Sequence, residues 1–436
     1  MRIVEPITAE ILIDDYTSIK EALVNPSLSR TFDKRTYEQG NVREGVVSIM
    51  HGQAQRDRRR LENMQFRPTE LQLYEQELFP PIVESMVNTA ADASEVDLFS
   101  LGEHLSIVLA ARRAGFDLDL DDSQAIDDMI AYVDQFSQAS AIIDAKDPDA
   151  IRAEVREAHS DFHRQFGEPS MERRLRALDA LERGDIDEDD LPHDILTSLL
   201  HHRDDTNLGL SDEAVIIREA GTYLQGGTHT SAQTLVNSID LLLDARDARP
   251  EIWQRVKTDQ AFAQRCMHET LRLRPTTPKA KRRAEEATTV AGIEIPKGAL
   301  VILDFMTANR DLEIFGKDAS EFNPDRELLD RNALWGLSFG HGSHICPGRK
   351  VAAGIQQPPG DGQLSGDHLH GLVAMMIQAV VQRDPKRHPE RPQSRDGRTD
   401  RFTRWSEYWT IFDRPPSTPR RRWAGLRTNR GRIPEP

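Results

Sequence analysis

The segment FGHGSHICPG, from Phe339 to Gly348, places one thiol, two imidazoles and three glycines within ten residues. Three chemistries suit such a stretch. Cys346 can be a small buried hydrophobe in a glycine loop. His341, His344 and Cys346 can hold zinc, although a fourth ligand and the usual paired spacing are missing. Cys346 can also be a thiolate ligand to haem iron, with glycines admitting a flat macrocycle and turning amide N–H groups toward the sulfur.

Other candidates stand at intervals along the chain. HETLRLRP sets Glu269 and Arg272 three residues apart, on one face of a helix, and FNPDR supplies Arg326. RRAEE carries Arg282 and Arg283 ahead of GIEIPKGALV, and the basic run HGQAQRDRRRLENMQF contains Gln55 and Arg59. GGTHTS contains Gly226, Gly227, His229 and Thr230 inside a long apolar-periodic stretch.

The pattern F-x-x-G-x-H-x-C-x-G resembles the haem-binding loop of the cytochrome P-450 family, particularly its soluble bacterial members, and the other motifs follow in that family's order over roughly residues 45–350. The resemblance implies a mainly α fold with a smaller β region, a triangular helical prism around haem b (iron protoporphyrin IX). Cys346 would be the proximal iron ligand and Phe339 the ring beside it. Gly340, Gly342 and Gly348 would shape the turn. His344, Arg282 and, on the basic helix, Gln55 and Arg59 would face the haem propionates. Glu269, Arg272 and Arg326 would form an ion network behind the proximal side, where planar guanidinium groups suit bidentate pairing.

In the family, an A-G-x-[DE]-T-T stretch on the distal helix relays protons. Here Gly226 and Gly227 would leave room over the iron, Thr230 keeps the hydroxyl, and His229 replaces the acid. A histidine titrating near 6.5 can shuttle protons, or it can simply join the helix packing. The resemblance thus implies a monooxygenase that inserts one atom of O2 into a small apolar organic molecule. Its electrons would come from a separate ferredoxin-type donor, and Arg349 and Lys350 are candidates to meet it. Two alternatives stay open: a peroxide-using or rearranging haem-thiolate enzyme, and a haem-binding protein with little catalysis.

These residues need a scaffold. From about 69 to 275 the pattern is helical, and the stretch after Ser211 predicts the longest helix, with Ser211 as its cap and Asp212 and Glu213 in its first turn. RGDIDEDDLPHDI reads as a solvated acidic loop. Beyond Pro275 short β-prone pieces appear, with a hairpin expected at Gly292 and a turn at Pro296 to Gly298. Two departures from the family are expected to matter. Few residues precede the basic helix, which would remove part of the small sheet and the substrate entrance. The helix after Gly348 is broken by an insertion near 355–368 and resumes around LHGLVAMMIQAVVQR.

The haem domain is accordingly drawn over 1–382 and a basic, Arg- and Pro-rich tail over 383–436, where 15 Lys and Arg face seven Asp and Glu. The whole chain carries a formal charge of −16, which argues against non-specific binding to nucleic acid or an anionic membrane. With two cysteines in 436 residues, no disulfide framework holds the fold. No apolar run approaches the roughly 20 residues of a membrane span. A cytoplasmic location is expected.

Overall fold

The apolar periodicity after residue 212 folds as one helix of 36 residues, Glu213–Ala248. At 1.5 Å per residue it is about 54 Å long. Its cap is Asp212, whose carboxylate accepts the Ala214 N–H at 2.9 Å. The cap therefore falls one residue after Ser211. The computed structural model describes residues 7–30, 43–138, 147–327, 334–355, 368–399 and 402–412.

This long helix is shared by two apolar cores. Ile216, Ile217, Ala220 and Leu224 belong to one, built with helices Ser123–Gln138, Pro148–Phe162 and Ile195–His201. Leu235, Val236, Ile239 and Leu242 belong to the other, with helices Leu98–Ala114, Gln260–Leu273 and Leu372–Val381. Helix Leu98–Ala114 lies close against the long helix because small residues meet between them. A Cβ added at Gly102 or at Gly227 would come within 3.1 Å of Ala232 Cβ or Ala110 Cβ, respectively.

A third core lies under a four-stranded sheet in the order Glu10–Ile13, Leu300–Asp304, Lys279–Ala284, Leu28–Ser29. The first pair is parallel and the others antiparallel. Residues before the basic helix thus supply two of the four strands, so the small sheet is better furnished than the short start suggested. The expected hairpin forms between Thr288–Val290 and Ile293–Ile295.

Two further expectations are corrected. The acidic segment is mostly solvated, but its last aspartate, Asp194, is 4% exposed. It caps helix Ile195–His201 and accepts two hydrogen bonds from Arg174, at 2.9 and 3.0 Å. The boundary at 382 also fails. Strand Phe402–Ile411 pairs with Glu95–Asp97 and with Lys386–Arg387, and Trp405 and Tyr408 are buried against the long helix. The apolar side chains scattered among the arginines decide this, because each can bury its ring while the charges stay at the edge. Residues 413–436 of the expected tail lie outside the described residues.

The helix after the thiol loop is broken, as its sequence predicts. It runs Arg349–Ala353, then Gly354, and resumes as Leu372–Val381. Ile355 and Leu369 bridge the two ends, and Gln264 Nε2 donates to the carbonyls of Ala353 and Leu369, both at 2.9 Å. Residues 356–367 of the expected insertion lie outside the described residues. Among the described residues, no helix is long and apolar enough to cross a membrane.

Candidate haem-thiolate site

The loop around Cys346 is closed by its own backbone. Cys346 N–H donates to the Phe339 carbonyl at 2.9 Å, and Phe339 stands edge-on to Trp335 with ring centroids 5.3 Å apart. Gly340 and Gly342 both have φ of +72°. At Gly342 the constraint is doubled, since a Cβ would also lie 2.9 Å from Val24 Cγ1. Only glycine meets both demands. Burial raises the Cys346 thiol above its ordinary pKa, opposed by the backbone N–H groups of Gly348 and Arg349 and by the charges of Arg59 and Arg349. Those amides are placed to stabilise a thiolate once a metal removes the proton.

His344 ends a short turn, Gly342–His344. Its ring lies edge-on to His51, with centroids 5.5 Å apart, and its Nδ1 is buried without a hydrogen-bond partner. Burial first, then the positive charges of Arg30, His51, Arg282 and Arg59, push its pKa down to about 3. A site that gathers cations around an unsatisfied imidazole suits an anion, and carboxylates such as haem propionates are of that kind. Gln55 is 2% exposed and its Nε2 donates to the Ser343 carbonyl at 3.0 Å, tying the basic helix Gly52–Glu62 to the thiol loop. Arg59 is half-buried beside them.

Glu269, Arg272 and Arg326 come together and are buried. Arg272 holds Glu269 in a bidentate pair, with two contacts of 2.7 Å, and Arg326 Nη2 reaches the same carboxylate at 3.1 Å. The remaining guanidinium donors bind carbonyls, among them those of Asn309 at 2.7 Å and Asp318 at 2.8 Å, and Arg326 Nη1 also pairs with the Asp318 carboxylate. A buried ion pair satisfied at every donor holds one arrangement of strands and turns in place.

On the long helix, Thr230 is exposed and its hydroxyl donates to the Gly226 carbonyl at 2.7 Å. A Cβ on Gly226 would meet nothing within 4 Å. Gly227 instead packs on Ala110, so of the two glycines only Gly226 leaves open space. His229 faces two neighbouring helices. Its Nδ1 lies 3.2 Å from Glu103 and its Nε2 3.2 Å from Asp134, on helices Leu98–Ala114 and Ser123–Gln138. Successive helical residues point about 100° apart, which lets one face the open side while the other packs. Among the described residues, this trio is also the only His, Cys, Asp or Glu group close enough to share a metal ion, so His341, His344 and Cys346 make no zinc site.

Some residues of the site region escaped sequence reading. Arg58, not Arg59, is the deeply buried arginine of the basic helix, at 1% exposure. Gln55, Arg58 and Glu62 are spaced by three and four and are all buried. That spacing is the mark of an inward helical face, visible in the sequence but hidden by the surrounding charge.

The structure thus combines a long helix, a glycine-lined thiol loop and a buried Glu–Arg–Arg network in one mainly helical fold. The chain belongs to the cytochrome P450 family, which it matches over residues 7–354. It is similar to the vitamin D(3) 25-hydroxylase of Pseudonocardia autotrophica, 30% identical over 207 residues, 47% of this chain and 48% of the relative. It is also similar to the erythromycin C-12 hydroxylase of Saccharopolyspora erythraea, 32% identical over 161 residues, 37% of this chain and 38% of the relative. Curated relatives are matched over 17% to 48% of their own length.

Among solved structures, P450BioI in complex with an acyl carrier protein shares the fold with a TM-score of 0.69, 18% identity and coverage of 92% and 91% of the two chains. CYP109E1 from Bacillus megaterium, solved with testosterone, gives 0.67, 17%, 92% and 93%. Family membership implies a haem cofactor.

Proposed function

We propose that this chain is a haem b-dependent monooxygenase that inserts one atom of O2 into a small apolar organic molecule, with electrons from a separate ferredoxin-type donor. The observation that carries the reading is the thiol loop itself: Cys346 under the Gly348 and Arg349 amides, beside an unsatisfied His344 ringed by positive charge. The residues present fit the group. Cys346 would hold the iron, His344, Arg282 and Arg59 would face the propionates, and Gln55 would keep the basic helix against the loop. When bound, a thiolate-ligated haem supplies activation of dioxygen, because the sulfur pushes electron density toward O–O cleavage.

The chain's own residues do the rest. Glu269, Arg272 and Arg326 hold the proximal side in register. Thr230 presents a hydroxyl beside the open space at Gly226, where it can pass a proton. Arg349 and Lys350, both half-buried, offer positive charge next to the loop for an acidic electron donor. The engagement of His229 by Glu103 and Asp134 favours one alternative, a peroxide-using enzyme that needs no proton relay to dioxygen.

The test is the absorption spectrum of the haem-loaded protein, reduced and exposed to carbon monoxide, with Cys346→Ala beside it. A strongly red-shifted Soret band that disappears in the variant is expected. Its presence in both proteins, or in neither, would overturn the ligand assignment. Substrate oxidation that needs a reductase, and falls in yield per electron in Thr230→Ala, would separate the monooxygenase from the peroxide-using enzyme.

A further inference from the structure

Between the basic helix and the first half of the long helix lies a buried acid pair that nothing above uses. Glu62 is 1% exposed and Glu219 is fully buried. The Tyr223 hydroxyl lies 2.5 Å from Glu62 Oε2. Glu219 Oε2 accepts from Arg58 Nη1 at 3.1 Å and from the Val47 N–H at 2.6 Å. The second oxygen of each carboxylate, Glu62 Oε1 and Glu219 Oε1, is buried without a hydrogen-bond partner. A buried, ionised carboxylate with an empty oxygen is expensive, and protonation removes most of that cost.

The charged and titratable groups facing Glu62 are few. Arg58 and Arg59 come from its own helix, and Glu219 and Tyr223 from the long helix. Arg58 spends its hydrogen bonds on Glu219 and on the carbonyls of Leu208 and Gly209. Only Glu219 is thus hydrogen-bonded to a cation, and Glu62 feels the arginines through their charge alone. Burial, followed by repulsion from Glu219, holds Glu62 well above the usual carboxylate range, and burial also raises Glu219.

The helix then connects this pair to the open side. Glu219, Tyr223, Gly226 and Thr230 are spaced four, three and four, so they form one stripe along the long helix. Tyr223 and Thr230 are seven residues, about 10 Å, apart along the axis. Between them lies Gly226, exposed and with nothing within 4 Å of an added Cβ, an open stretch where a chain of about three waters can bridge hydroxyl to hydroxyl.

We propose that Glu62, acting through Tyr223, is the proton-holding end of a relay to Thr230. This rests on the monooxygenase reading. In each transfer the Tyr223 O–H proton moves to bridging water as the Glu62 carboxylic acid returns a proton to the phenol oxygen. Glu62 is left as a carboxylate under the charges of Arg58 and Arg59, and before the next transfer a solvent proton returns to it by the same route, water to the Tyr223 oxygen and the Tyr223 O–H proton to Glu62. No electron changes carrier.

The test uses the haem-loaded protein and two readouts. Infrared difference spectra are recorded between pH 6 and 9 for wild type, Glu62→Gln, Tyr223→Phe and Glu103→Gln. A buried carboxylic-acid C=O band is expected in wild type and in Glu103→Gln. The component that persists to the highest pH should vanish in Glu62→Gln, leaving only the Glu219 component at the acid end, and it should shift in Tyr223→Phe, which removes its hydrogen bond. The second readout is product formed per electron against pH. Roughly a tenfold or greater fall is expected in Glu62→Gln and Tyr223→Phe, with Glu62→Asp recovering part of it and the substrate-induced spectral shift unchanged.

Absence of the band in wild type, or its loss only in Glu103→Gln, would overturn the relay and leave the monooxygenase reading intact. The band with no reductase-dependent turnover in wild type would overturn the monooxygenase reading, and the relay with it. The band with unchanged yield in both variants would overturn the relay alone.

Discussion

The two ends of the long helix both bury acids, and they treat them in opposite ways. Near its C-terminal end, Asp240 accepts from Arg274 at 2.6 Å, from Arg387 at 2.6 Å and from the Tyr408 hydroxyl at 2.7 Å. Burial alone would raise its pKa, but these three donors outweigh burial and lower it. Near the N-terminal end, Arg58 hydrogen-bonds Glu219 and reaches Glu62 through its charge alone, and both acids are raised. The contrast shows what each end is suited for. A carboxylate surrounded by donors is a fixed bracket, whereas one short of donors is a place to keep a proton.

The strongest way to break this comparison is to remove Arg58. It is 1% exposed against a fully buried Glu219, and Arg58→Met should cost about 3–5 kcal/mol of stability near pH 8. The cost should shrink at pH 5, where both acids take up protons and only the lost contacts to the Leu208 and Gly209 carbonyls remain. Chemical denaturation at the two pH values checks it. A cost independent of pH would mean that the acids are already neutral throughout.

At the matched end, Asp240→Ala should cost about 2–4 kcal/mol, because Arg274 and Arg387 keep some contact with solvent when their acceptor goes. Here the cost also shrinks on acidification, but in a lower pH window, because this acid is depressed rather than raised. A folded pKa depressed below the unfolded one gives stability that is present above the unfolded value and lost only as pH falls through the folded value. The deficit of Asp240→Ala should therefore be constant from pH 5 to 9 and narrow only in acid. A deficit that widens with rising pH would erase the contrast between the two ends.

Glu62→Gln sharpens the comparison with a smaller effect. Because the folded pKa of Glu62 lies above its unfolded value, its contribution is fully present below the unfolded value and is lost as pH rises through the folded one. Glutamine does not titrate. The variant should come nearest to wild type at the acid end, below the unfolded carboxylate value, and exceed it by a margin that grows as pH rises to 9. Melting curves across that range would show it, and a variant less stable than wild type at pH 9 would mean that the carboxylate is welcome where it lies.

What the sequence disclosed follows the same physical division. The thiol loop, the Glu269–Arg272–Arg326 set and the helical span were legible because each depends on short spacing or on a motif in order. The strand Phe402–Ile411 was not, because its fate depends on Asn237 and Asp240 more than 160 residues away, to which Trp405 and Tyr408 hydrogen-bond. The acid pair was hidden for a similar reason. Nothing local marks Glu62 as short of donors, since the shortage arises only when Arg58 turns to Leu208 and Gly209. His229 shows the same limit at one residue: its type invites proton transfer, and its partners on two other helices decide where it points.

The neighbouring glycines give the smallest and most local contrast. Gly226 and Gly227 look equivalent in the sequence, yet a Cβ at 226 meets nothing within 4 Å while one at 227 lies 3.1 Å from Ala110 Cβ. In a helix interior, replacing glycine by alanine gains roughly 0.5–1 kcal/mol when the methyl has room. Gly226→Ala should therefore raise the stability of the haem-free protein by about that amount. Gly227→Ala should gain less or turn negative, because the tight approach of helix Leu98–Ala114 has to loosen by a few tenths of an ångström to admit the methyl. Matched unfolding curves of the two variants check the order. If Gly227→Ala proved the more stable, the contact with Ala110 would be soft, and the close approach of the two helices would rest on Gly102 and Ala232 alone.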